Sequence, residues 1–163
     1  MTRRVFFSFR YSLDAWRVAQ VKNMGVVEGQ QLLTANEWED VAGGGDAEIQ
    51  KWIDQEMSGK SCNVVLIGAS TAGRKWVNYE FTKAWNDGKG VVGIRIHNLA
   101  DSSGNTTTAG LNPFAGFALG DEKFDEVVKV YNPAGSTSAD VYKTISDNIE
   151  SWVEEAIAIR SSY

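Results

Sequence analysis

Trp76-Val77-Asn78-Tyr79-Glu80 sets an aromatic ring and a carboxylate four residues apart. On a helix that spacing puts both on one face, one turn apart. Val77, Phe81, Ala84 and Trp85 form the neighbouring apolar stripe, so Trp76 and Glu80 border the core instead of lying opposite it. Two readings stay open from the residues alone: a solvated glutamate beside a core tryptophan, or a half-buried carboxylate available for chemistry. Just upstream, Gly68 to Lys75 reads GASTAGRK, with two glycines spaced as in a phosphate-binding loop. Arg74 stands where that loop needs its lysine, and Lys75 where a Ser or Thr would ligate magnesium. NTPase chemistry is therefore not expected; the segment reads as a strand-to-helix turn whose amides can hold an anion. His97 ends the run VVGIRI and is either structural or a site group. Asn112-Pro113-Phe114 is either a turn with an anchoring aromatic or a lid that touches ligand. Trp38 is either a core residue or a stacking ring. With one histidine and one cysteine, Cys62, the usual zinc ligand sets cannot be assembled. No metal site and no intramolecular disulfide are expected, and Cys62 reads as a small core residue.

These residues need elements to position them. Arg4 to Phe9 (RVFFSF), Cys62 to Ile67 (CNVVLI) and Val91 to Ile96 (VVGIRI) are short, β-branched or aromatic, and apolar on both faces, as buried strands are. A weaker strand is expected near Val26 to Leu33 and a last one at Val127 to Tyr131. Helices are predicted at Ser12 to Met24 with Ser12 as N-cap, after Asp46 as N-cap, at Arg74 to Asp87, and at Asp140 to Ile159. Thr34 to Gly45 is a polar stretch ending in three glycines, and His97 to Gly120 a long loop rich in Ser, Thr, Asn and Gly. Loops of that length inside a domain are usually functional or disordered. Strands alternating with helices predict an α/β fold: a flavodoxin-like, three-layer arrangement around a mainly parallel five-stranded sheet, order 2-1-3-4-5. Ligands of such sheets bind outside the carboxyl ends of the strands. Three places qualify: Ser8 to Tyr11, Gly68 to Arg74, and His97 onward.

The chain has 163 residues, enough for one domain, 1–163, with a real core. Its composition, 43% apolar and 23% charged, is that of a globular protein. A net charge of −5 with no long basic run argues against nucleic acid, which needs a basic patch. No segment approaches the roughly 20 apolar residues of a membrane span, and Arg10 and Asp14 interrupt the N-terminal apolar run too early for a signal-peptide core. The expected compartment is the cytoplasm.

FFSFRYSLDAWR, the WED segment at Trp38, GDAEIQKWID, VVLIGASTAGRKWVNYEF, and GIRIHN followed by NPF occur in this order from Arg4 to Phe114. Together they resemble the TIR-like domain of Thoeris ThsB proteins, most specifically over Val64 to Phe81 and in GIRIHN. The resemblance implies a TIR-like fold and a role in antiphage defence. It implies an enzyme of the NAD glycohydrolase and ADP-ribosyl cyclase kind. NAD is the substrate and no cofactor is needed. A phage-derived trigger would start the reaction, and its ADP-ribose-derived product would signal to a separate effector protein; homo-oligomers are common among such domains. TIR enzymes carry a catalytic glutamate on the helix after the third strand, often in a WxxxE pattern, which falls here on Trp76 and Glu80. With the strand-end rule, the substrate-binding candidates are Ser8, Phe9, Arg10, Trp76, His97 and Asn112. The alternative is a non-catalytic TIR-like interaction module.

The implied chemistry suits a lone carboxylate. Ordinary glycosides usually need two carboxyl groups, one of them to protonate the leaving oxygen. Nicotinamide leaves NAD as a neutral molecule because its ring nitrogen already carries the positive charge. What remains is an oxocarbenium-like ribose that needs an anion and held hydroxyls.

Overall fold

The computed structural model describes residues 2–163. In chain order the elements are β1 (Val5–Ser8), α1 (Tyr11–Asn23), α2 (Ala35–Gly43), α3 (Asp46–Met57), β2 (Cys62–Ile67), α4 (Lys75–Asn86), β3 (Gly90–Arg95), β4 (Ala118–Leu119), β5 (Glu122–Lys123), α5 (Phe124–Val127), β6 (Val130–Tyr131) and α6 (Ser138–Ser161). The strands β1, β2, β3 and β6 lie side by side in that order, all parallel. The β4–β5 pair is a separate antiparallel hairpin. The fold is the expected mainly parallel α/β layer structure, and the central sheet has four ladder strands where five were expected.

The fifth position is present in reduced form. Only Glu28, of the segment Val26 to Leu33, bridges to Arg4. Val5 N–H donates to the Glu28 carbonyl at 2.7 Å and Glu28 N–H to the Arg3 carbonyl at 2.9 Å. Two residues later a side chain takes over. Phe7 N–H donates to Gln30 Oε1 and Gln30 Nε2 donates back to the Phe7 carbonyl, both at 2.8 Å. A primary amide offers the same donor and acceptor as a peptide group, so Gln30 closes the edge of β1 where the backbone has turned away. Counting this bridged edge, β2 is the third strand in chain order.

Alternation along the strands divides the core into two. Val5 and Phe7, with Val64, Leu66, Val92 and Ile94, pack under α1 and α6. Phe6, Val65, Ile67 and Val91 pack under α3 and α4, with Phe81, Phe114 and Phe124. The Phe81 ring meets Phe114 edge-on at 5.0 Å, a favoured aromatic geometry.

Several boundaries differ from the sequence reading. α1 starts at Tyr11 after Arg10, with no side-chain cap, so Ser12 lies inside the first turn and is not the N-cap. Asp46 is the first residue of α3, and Gly45 is the cap position. Gly45 has φ +86°, a conformation that glycine adopts without a Cβ penalty. The polar stretch after Thr34 is a helix, α2. Its start is a full capping box: Glu37 N–H donates to Thr34 Oγ1, and Thr34 N–H to Glu37 Oε1. The last strand is only Val130–Tyr131, because Phe124–Val127 forms a helical turn before it. Among the described residues no helix is long and apolar enough to cross a membrane.

Candidate active site

Ser8 follows Phe6 by two residues and therefore faces the same side of the sheet, towards α4. Asn63, buried in β2, donates from Nδ2 to Ser8 Oγ at 2.8 Å and to the Phe6 carbonyl at 3.1 Å. Because Ser8 Oγ accepts from Asn63, its own proton is free for the next group. That group is the Glu80 carboxyl, on α4, whose charged form the Ser8 hydroxyl favours. Glu80 is only 8% exposed. Burial pushes its pKa up to about 8, and the Ser8 hydroxyl pulls it back towards the charged form. Among the described residues no cation lies close enough to offset the burial. Burial therefore favours the neutral form of the Glu80 carboxyl.

Glu80 and Trp76 both line a cavity of about 630 Å³. Phe9 and Arg10, at the end of β1, line it too. The structure thus gathers four of the predicted site residues around one space: Phe9, Arg10, Trp76 and Glu80. Three others do not line it. Ser8 is fully buried and bears on the site only through its influence on the Glu80 carboxyl. His97 is buried at the end of β3 with Nδ1 unpartnered. Burial first, then Arg95 and Arg17, hold its pKa below the ordinary value. Asn112 builds a turn: its Oδ1 accepts from Phe114 N–H at 2.9 Å, and fully buried Phe114 anchors that turn in the core. Of the two readings of Asn-Pro-Phe, the geometry is that of a turn with an anchoring aromatic.

The long segment after His97 crosses the carboxyl edge of the sheet, as expected. Gly110 packs so closely on the chain after β2 that a Cβ there would lie 2.1 Å from the Gly68 carbonyl oxygen, and Arg95 donates to the Gly110 carbonyl. Arg17, buried on α1, secures the nearer part. Its Nε donates to the Leu99 carbonyl at 2.8 Å and a terminal nitrogen to the Asn105 carbonyl at 2.9 Å. It pairs with buried Asp14 at 3.3 Å. Burial raises the Asp14 pKa, with Arg17 and Arg10 pulling against it.

Other residues of the site escape a reading by motif. Asn63 is marked only as a polar interruption of CNVVLI. Tyr11, Trp38 and Trp52 line the cavity from three different helices, so no sequence spacing connects them. Trp38 packs on the core, the first of its two readings, and also lines the cavity. Among the described residues no group of three His, Cys, Asp or Glu side chains gathers as a metal ligand set.

A parallel α/β domain with a buried carboxyl on the helix after its third strand, opening on a cleft at the carboxyl edge, is the arrangement of a TIR-like domain. The family model described as Thoeris protein ThsB, TIR-like domain, matches residues 6–101, and the chain belongs to that family. A relative from Bacillus cereus (strain MSX-D12), named "Putative cyclic ADP-D-ribose synthase ThsB1", is 36% identical over 119 residues. The match covers 70% of this chain and 62% of that relative.

Proposed function

We propose that this chain cleaves the nicotinamide–ribose bond of NAD and converts the remainder into an ADP-ribose-derived signal, with Glu80 as its key carboxylate. The observation that carries the reading is Glu80 itself: a carboxyl 8% exposed, in no ion pair among the described residues, at a cavity of about 630 Å³ on the ligand-binding edge of the sheet. A cyclic product is the favoured outcome because the relative's name is that of a cyclic ADP-ribose synthase.

The chemistry balances without a general acid. The bond between ribose C1′ and the ring nitrogen breaks, and its electron pair leaves with nicotinamide, which becomes neutral. Positive charge passes to the ribose. An oxygen or adenine nitrogen of the same molecule, or water, then attacks C1′; an attacking hydroxyl or water passes its proton to the Glu80 carboxylate, and an attacking nitrogen takes the positive charge onto the adenine ring. Before that, Glu80 acts at two points. As an anion it stabilises the ribosyl cation in a poorly solvated pocket, where a charge is worth far more than in water. As an acceptor it holds a ribose hydroxyl. The cationic nicotinamide ring of arriving NAD draws the Glu80 pKa down from about 8, so substrate binding itself favours the charged form. Trp76, half-buried one turn away, keeps water from that side.

In this reading the protein serves antiphage defence, its activity is started by a phage-derived trigger, and a separate effector protein responds to the product. Incubating the purified chain with NAD, alone and with extract from phage-infected cells, tests it. Free nicotinamide should appear together with a product lighter than ADP-ribose by one water. NAD recovered intact under both conditions, with the protein folded, contradicts an enzymatic role and leaves the interaction module.

A further inference from the structure

One side of the cleft is built from aromatic rings. Phe9 and Tyr11 stack with centroids 5.6 Å apart, and Tyr11 and Trp38 stack at 5.9 Å with 21° between planes. Trp38 then meets Trp52 edge-on at 6.1 Å. All four rings are half-buried and line the cavity. Rings recruited only for the core would be covered; these keep surface towards an open space. Beside them the lining is cationic. Arg10 stands between Phe9 and Tyr11, tied to Ser70 Oγ at 2.6 Å by one nitrogen, while its buried Nε has no partner. Arg74, exposed, lines the cavity at the start of α4, whose first turn carries no acid.

We propose that the cleft also binds the half of the dinucleotide that it does not cleave: the Tyr11–Trp38 stack takes the adenine ring, and Arg10 and Arg74 take the diphosphate. This leaves the nicotinamide riboside for Trp76 and Glu80, and it rests on the reading that the cleft processes NAD. Charge favours this direction. The nicotinamide ring is a cation, repelled by Arg10 and Arg74; Lys75, which also lines the cavity beside Trp76, is paired with Asp46, and adenine is neutral and stacks on any aromatic face. Spacing agrees: Arg74 and Glu80 are six residues apart, about 9 Å along the α4 axis, which leaves room for a ribose between diphosphate and carboxylate. Glu39, next to Trp38, also lines the wall. A carboxylate there suits free ribose hydroxyls and opposes a 2′-phosphate.

The test uses ADP, which has the adenine and diphosphate but no nicotinamide riboside, with Trp38→Ala, Trp38→Phe and Arg74→Ala. Losing one base-stacking ring weakens binding on the order of ten- to a hundredfold. Calorimetry should show ADP binding to wild type, weakened at least about tenfold in Trp38→Ala and clearly weakened in Arg74→Ala, with Trp38→Phe close to wild type. The preference in kcat/KM for NAD over nicotinamide mononucleotide should fall by a similar factor in Trp38→Ala. A folded Trp38→Ala that binds ADP within about twofold of wild type overturns the subsite, even if NAD is still cleaved. Absence of ADP binding by wild type overturns it equally. ADP binding that depends on Trp38, in a protein that releases no nicotinamide, supports the subsite and overturns only the cleavage reading.

Discussion

Glu80 owes its state to burial and to the direction of one hydroxyl. The Asn63 amide donates to Ser8 Oγ, which leaves the Ser8 proton free to favour the charged form of Glu80. A hydrogen bond to the charged form lowers a carboxyl pKa, and burial raises it; here burial wins, at about 8. If the free enzyme must ionise Glu80, kcat/KM for NAD should rise with pH and level off above about 8. In Asn63→Ala the Ser8 hydroxyl is free to turn away, so the inflection should move to higher pH. Rate–pH profiles of the two proteins check this. A profile flat from pH 6 to 9 would show that ionisation of Glu80 does not limit the reaction. WxxxE spacing makes Glu80 legible in the sequence. Nothing local marks Asn63 as its support, since that role depends on two parallel strands in register, Phe6 opposite Asn63.

At the scale of elements, the site depends on pieces that weak local patterns conceal. α2 carries Trp38 yet is largely exposed, so it shows little apolar periodicity; the overlooked signal is Thr34 with Glu37 three residues on, a capping box. The edge of β1 is hidden for another reason: a glutamine side chain completes it where a strand was expected. The length of the loop after His97 marks it as functional or disordered, but its fastening was not legible. Arg17 holds two loop carbonyls and buried Asp14 together. Arg17→Met keeps much of the side-chain bulk and leaves those groups without a partner. Removing one member of a buried pair costs about 3–5 kcal/mol. Urea denaturation should show a loss of that order at pH 7, shrinking as pH falls and Asp14 is protonated. A change under about 0.5 kcal/mol would mean that the loop is held by other contacts.

Across the whole molecule, the class of fold was readable because parallel strands covered on both faces are apolar throughout, and CNVVLI and VVGIRI are nearly so. The cleft was only half readable. Strand ends indicate where a ligand binds, but the wall from Tyr11, Trp38 and Trp52 exists only after three helices have packed beside β1. The same packing loads Glu80 with a burial cost that depends on pH. Below about pH 4.5, the ordinary value, folded and unfolded chains both hold the proton. Between about 4.5 and about 8 the unfolded chain releases it and the folded chain keeps it, so stability falls as pH rises; above about 8 the penalty levels off. Gln at this position has no such penalty. Each tenfold change in proton affinity is worth about 1.4 kcal/mol, so the stability gain of Glu80→Gln should grow to a few kcal/mol by pH 8. The most direct measurement is nicotinamide release by Glu80→Gln beside wild type, under conditions where wild type is active and with both proteins shown to be folded. The expected result is a fall in turnover of on the order of a hundredfold or more in a protein at least as stable as wild type, with NAD binding nearly unchanged. Turnover within a factor of about three of wild type would contradict the assignment of Glu80 as the carboxylate that stabilises the ribosyl cation.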